Sequence, residues 1–271
     1  MELMNVIGRR RTIRFFQPFR PVEREKIQKM LEAARHASCA GNVMNVRAIV
    51  IWREQASDEL IEAITPPIGY QQMQTAPCFL LWYNDPTVYY GANWIESVLA
   101  LADARRIGTD VEATKAEINE RLRPTFMAAG ETMGVAPLAY MDVGQAIAQA
   151  TLVAYDEGLG SCLMSGPSTE RVAGLLDLPE TAVPVCIQAV GYPAESWEAG
   201  GQTPKPPLGE LFFEMRHGQP FDADPAVEAE LREAKLIQQE APLPWRGAEL
   251  ASLTRALELE ERILNYPTTN E

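Results

Sequence analysis

Four short apolar runs set among longer stretches of helical periodicity constrain this chain most. Ala48–Trp52, Cys78–Tyr83, Ser161–Met164 and Val183–Val190 have the length of strands. Asn84-Asp85-Pro86 closes the second run and Gly191-Tyr192-Pro193 the last. After Pro21, Val22, Ile27, Met30, Leu31 and Ala34 recur at helical spacing as far as His36-Ala37. A helix is predicted over Asn93–Arg106, then a polar one from Asp110 to Leu122 that Pro124 interrupts. Val143, Ile147, Ala150, Val153 and Ala154 build one face of the next, with Asp142 as its expected cap. Ser168 is expected to cap a short helix reaching Leu175, and two tail helices are predicted, Asp224 to Gln239 and Gly247 to Leu264. Helices and strands do not alternate strictly, so the predicted class is α+β and not a doubly wound sheet.

Against this apolar framework the chain carries 24 Lys and Arg to 37 Asp and Glu, a formal net charge of -13. That balance argues against nucleic acid and against an anionic membrane surface as partners. No apolar run approaches the roughly 18 residues that span a bilayer, and the first residues lack the pattern of a signal peptide. The cytoplasm is the expected compartment. Cys39, Cys78, Cys162 and Cys186 are widely spaced, which reads as free thiols and not as a disulfide frame. With only His36 and His217 beside them, no metal site is expected.

The exception to the acidic balance is Arg9-Arg10-Arg11-Thr12-Ile13-Arg14. If the stretch is extended, Arg10, Thr12 and Arg14 point the same way. Two guanidinium forks and a hydroxyl then suit one phosphate. Spacing alone leaves this clamp and a solvated basic patch both open.

Taken together, three stretches resemble the nitroreductase family of flavin enzymes. They are Arg10-Arg11-Thr12-Ile13-Arg14 followed by Pro21-Val22; the loop Ala37-Ser38-Cys39-Ala40-Gly41-Asn42; and Met141-Asp142-Val143-Gly144 through Gly158-Leu159-Gly160-Ser161-Cys162. Gly191-Tyr192-Pro193 and Lys205-Pro206-Pro207-Leu208 are lesser matches. The likeness spans residues 3 to 218 and departs from the family pattern at Cys39, Met44, Asn45 and Val46. It implies a three-layer α+β fold, with a central mixed, mainly antiparallel sheet flanked by helices, in a homodimer with FMN at the interface. Residues 1–218 would form the FMN-binding domain and 219–271 a helical extension packing on the dimer.

The resemblance also implies site residues. Arg10, Arg11, Thr12, Arg14 and Lys205 would hold the FMN phosphate and ribityl chain. Ser38, Cys39, Ala40 and Asn42 would lie along the flavin ring, with Gln72 as a polar contact. Ser165 and Gly166 would bring backbone N–H groups near the flavin N5. Cys39 reads as a small stand-in for serine, and Tyr89, Tyr90, Trp94, Phe126 and Met127 fall where the family covers its site. The implied activity is ping-pong transfer from NADPH or NADH through FMN to a nitroaromatic, quinone or similar acceptor. Reductive dehalogenation, flavin fragmentation and non-catalytic FMN binding are the alternatives. No side chain is obligatory as acid or base, so no catalytic residue is assigned.

Overall fold

The computed structural model describes residues 2–165 and 169–265. All four apolar runs form strands: β1 (Val46–Trp52), β2 (Cys78–Asn84), β3 (Gly160–Ser165) and β4 (Val183–Gly191), in the order β1-β2-β4-β3. Every pairing in this sheet is antiparallel, with Ile49 opposite Leu81 and Leu81 opposite Ile187. β2 lies inside the sheet, and alternate residues of its unbroken apolar run point to opposite faces. Helices cover both. Cys78, Leu80 and Trp82 meet one layer, Phe79 and Leu81 the other.

The body holds α1 (Leu3–Arg9), α2 (Arg24–Arg35), α3 (Asp58–Ile64), α4 (Tyr70–Thr75), α5 (Asn93–Asp103), α6 (Val111–Glu117), α7 (Arg123–Gly134), α8 (Pro137–Asp156) and α9 (Thr169–Leu175). On one face α2 and α8 pack Ile27, Met30 and Ala34 with Val143, Ile147 and Ala150. On the other, Ile64, Met73 and Val172 from α3, α4 and α9 close over the sheet together with Ile13 and Phe16. A third cluster of Tyr89, Trp94, Ile95, Val98 and Ile118 ties α5 to α7 into a helical cap. None of these helices is long and apolar enough to cross a membrane, among the described residues.

Three details correct the sequence reading. The helix expected to start at Asp142 begins at Pro137, where a proline costs no hydrogen bond. Asp142 is therefore mid-helix and buried. Pro124 does not interrupt its helix either. α6 passes through a π turn at Ile118–Leu122 into α7, whose first turn tolerates the proline. The tail forms α10 (Leu208–Leu211), α11 (Pro225–Glu233) and α12 (Arg246–Ala256), and the last two are shorter than expected. Lys235 at φ 60° and Glu258 at φ 52° end them, and the chain beyond hydrogen-bonds to the body. Ile263 O accepts from Gly69 N–H at 3.0 Å, and Asn265 N–H donates to Pro67 O at 2.9 Å. Ser168 lies outside the described residues.

The departure from the family pattern around Asn45 has a local solution. Asn45 Nδ2 donates to Asn84 Oδ1 at 2.7 Å and to Ala139 O at 2.8 Å, and Asn84 Nδ2 donates to Gly134 O at 2.7 Å. A buried amide pair fastens the start of β1 to the end of β2 and to α8.

Candidate functional site

The arginine stretch leaves α1 in extended form, with Arg10 at φ -58° and ψ 124°. It runs along the open edge of β3. Thr12 bridges Ser161 in parallel, and Ile13 N–H donates to Ser161 O at 3.1 Å. Ile13 is fully buried against Gly160, where an added Cβ would lie 2.7 Å from its side chain. With Ile13 turned inward, alternation turns Thr12 and Arg14 outward. Arg10, Arg11, Thr12 and Arg14 then line a cavity of about 260 Å³, whose other wall is Ala199, Gly201, Gln202, Thr203 and Lys205. Five of the sequence-predicted residues meet there.

The cavity is cationic and poorly compensated. Burial holds Arg10 below the ordinary arginine pKa, and burial followed by repulsion from Arg10 does the same for Arg11. Among the described residues no carboxylate pairs with Arg10 or Lys205. Arg11 Nη2 donates to Gln238 Oε1 at 3.2 Å while its buried Nε has no partner. Arg14 Nη1 reaches Thr12 O at 3.4 Å. The nearby carboxylate of Glu195, 4% exposed, accepts from the Arg14 and Phe15 N–H groups and pairs with Arg246 at 2.6 Å. Its charge is used on the arginine strand's backbone and on the tail, so the cavity guanidiniums, bonded only to amide and carbonyl oxygens, keep an uncompensated charge for an external anion.

The remaining predicted residues lie elsewhere in the chain. Gln72 is buried in α4, its Nε2 donating to Cys162 Sγ at 3.3 Å and its Oε1 buried without a partner. Ser165 is exposed at the end of β3, opposite Cys186. Gly166 lies outside the described residues. Ser38, Cys39, Ala40 and Asn42 form a separate turn against α5 and α8, and none of them lines the cavity. Ala40 N–H donates to Asp142 Oδ2 at 2.9 Å, and Tyr89 OH donates to the same oxygen at 3.3 Å. Burial pushes the Cys39 thiol up, which leaves it poorly nucleophilic. Trp94 and Phe126 stack at 3.9 Å between ring centroids beside this turn.

Sequence reasoning missed Glu195, Gln202 and the pair Gly200-Gly201. The glycine pair was the available signal, since adjacent glycines in a Pro-rich loop mark close backbone approach. Nothing in spacing or periodicity points to Glu195, whose partners are backbone groups some 180 residues away in the chain.

Comparison with known proteins identifies the family and the fold. The model of the Nitroreductase family matches residues 7–192. A Thermus thermophilus protein named NADH dehydrogenase is 31% identical over 191 residues, 69% of this chain and 84% of that protein. A Staphylococcus epidermidis structure assigned as an NAD(P)H:FMN oxidoreductase superposes with a TM-score of 0.63 at 20% identity, over 79% of this chain and 97% of that one. An Exiguobacterium sibiricum structure, assigned as a nitroreductase and solved in complex with FMN, gives 0.57 at 20% identity, over 78% and 96%. At such identities the two structures establish the fold, while the family match and the Thermus relative establish descent. The chain belongs to the nitroreductase family.

Proposed function

We propose that this chain is an FMN-dependent NAD(P)H oxidoreductase acting as a homodimer, with the FMN phosphate in the basic cavity. One observation carries the reading. In a chain of net charge -13, Arg10, Arg11, Arg14 and Lys205 converge on one cavity, with Arg10 desolvated and Arg11 Nε lacking an acceptor. A bound anion relieves both conditions, and guanidinium forks match phosphate oxygens. The FMN-bound relative and the family membership support the same choice.

Arg10, Thr12 and Arg14 would hold the phosphate and ribityl hydroxyls, with Lys205 closing from the opposite wall. Gln72, through its unpartnered Oε1, and the backbone of Ser165 would meet the ring. The turn bearing Ser38, Cys39, Ala40 and Asn42 would complete each site from the second copy. Hydride transfer from reduced nicotinamide to a second substrate is the chemistry that bound FMN would supply. The chain binds, orients and excludes water, and none of its side chains is assigned as acid or base. Donor and acceptor would use the same face in turn, a ping-pong order, with a nitroaromatic, quinone or similar conjugated acceptor. The name of the Thermus relative supports NADH as a donor beside NADPH.

A second copy is further supported by the arm that follows Lys205, where Leu211, Phe212, Phe213, Met215 and Phe221 are exposed. Apolar surface of that extent favours burial against a partner, with the extension from 219 packing on the dimer. An absorption spectrum of the purified protein, followed by anaerobic NADPH and then NADH, tests the reading. A yellow protein that bleaches is expected. A yellow protein that both donors leave unchanged would demote it to a flavin carrier, and a colourless protein that ignores added FMN would overturn it.

A further inference from the structure

The two walls of the basic cavity come from segments some 190 residues apart, and one later segment ties them together. On the far wall, Gln202 commits all its polar groups to that segment. Its N–H donates to Gln239 O at 2.9 Å and its carbonyl accepts from Ala241 N–H at 2.9 Å. Its Nε2 donates to Leu236 O at 2.9 Å and its Oε1 accepts from Gln238 N–H at 2.8 Å. Gly200 and Gly201, at φ 82° and 115°, lie flat against the tail. A Cβ on Gly200 would fall 2.6 Å from the Arg246 side chain, and one on Gly201 2.8 Å from the Ala241 backbone. Glycine permits both the backbone angle and the approach.

The same segment grips the arginine wall. Gln238 Nε2 donates to Gly8 O at 2.8 Å, and its Oε1 accepts from Arg11. Arg246 pairs with Glu195, which holds the Arg14 and Phe15 N–H groups. Arg246 Nη1 also meets Glu249 Oε2 at 2.6 Å, and Glu249 Oε1 accepts from Ser196 N–H at 2.7 Å.

We propose that residues 235–249 are a cross-brace of the anion site, with Gln238 and Arg246 as positioning residues that set how the arginine strand faces the Ala199–Lys205 wall. The inference rests on the phosphate reading of the cavity. It goes beyond that reading by making phosphate affinity depend on residues outside the matched stretch 7–192. The physical reason is that a buried carboxylate deprived of its cation recruits the next one available. Without Arg246, Glu195 draws on the Arg14 guanidinium and takes it out of the cavity. Without Gln238, Arg11 Nη2 loses its acceptor and the guanidinium is held only through Nη1, by the Gly8 and Arg10 carbonyls.

Full-length wild type, Arg246→Met, Arg246→Lys and Gln238→Ala are titrated with FMN and riboflavin by flavin fluorescence, and with inorganic phosphate by thermal shift. Riboflavin lacks the phosphate and serves as the readout that general loosening would also move. Arg246→Met and Gln238→Ala are expected to weaken FMN about tenfold, near 1.4 kcal/mol, to weaken phosphate in parallel and to leave riboflavin within about twofold. Arg246→Lys is expected to restore most of the loss. Unchanged FMN affinity, or equal loss of FMN and riboflavin, overturns the brace. Should Arg246→Met fail to fold, Gln238→Ala at its half-buried position decides the matter alone. A wild type that binds phosphate but not FMN sinks the cofactor reading only, and the variants' phosphate affinity then decides for or against the brace. A wild type that binds neither overturns both.

Discussion

Arg10 and Cys39 show opposite uses of burial at the scale of single residues. Burial makes the Arg10 cation costly and therefore responsive to an anion. Replacing it with alanine removes a charge-assisted hydrogen bond worth about 1.5–3 kcal/mol. We predict that Arg10→Ala raises the FMN dissociation constant about 10- to 100-fold while riboflavin hardly changes; equal affinities would place the phosphate elsewhere. Burial pushes the Cys39 thiol above its ordinary value, and it pushes Cys78 and Cys186 up to about 12. Native protein should therefore resist thiol reagents at neutral pH, and Cys39→Ser should keep at least half of the turnover. Loss of turnover in that variant would mean the sulfur takes part. The arginines were legible because alternation along an extended segment is a property of the backbone alone. Glu195 was not, because its role depends on which backbone the fold carries past it.

Among the elements, the Cys39–Asn42 turn is held by a residue misread from sequence. Asp142 is a good capping type placed before an apolar period, so a cap was the natural expectation. Pro137 starts α8 a turn and a half earlier, and the carboxylate is released to accept from Ala40 N–H and Tyr89 OH. Burial and then Asp142 raise the Tyr89 pKa, so its hydroxyl stays a donor to that carboxylate. We predict that Asp142→Ala lowers stability in urea by about 1–3 kcal/mol through the unsatisfied donors, with flavin affinity falling too if the turn lies on the ring. A loss under 0.5 kcal/mol would show that the turn holds itself. The four strands were read from their length and turn residues, while α1, α3 and α4, of six or seven residues, are too short to show a period.

The tail is the least predictable part of the whole molecule, because its partners are set by tertiary contact and not by local preference. It also carries an acid-sensitive link. Burial pushes the Glu249 carboxyl up, but the Ser196 N–H and the Arg246 guanidinium outweigh it and hold it below the ordinary value. A depressed folded-state pKa adds stability above the unfolded value of about 4.3, and that stability is lost as pH falls through the folded value. Melting temperatures followed from pH 7 to 3 should fall on the acid side, less steeply in Arg246→Met, which lacks the partner. Parallel curves for the two proteins would remove this link from the account.

Because one wall of the cavity is Arg10–Arg14 and the other Ala199–Lys205, braced by residues near 240, the pocket is a late product of synthesis. The arginines leave the ribosome first and wait for some 190 further residues, about ten seconds or more at usual elongation rates. No earlier fragment of the chain holds both walls. Capture of the proposed phosphate there therefore waits until residues near 240 have emerged, and an occupied site reports that segments some 190 residues apart have met.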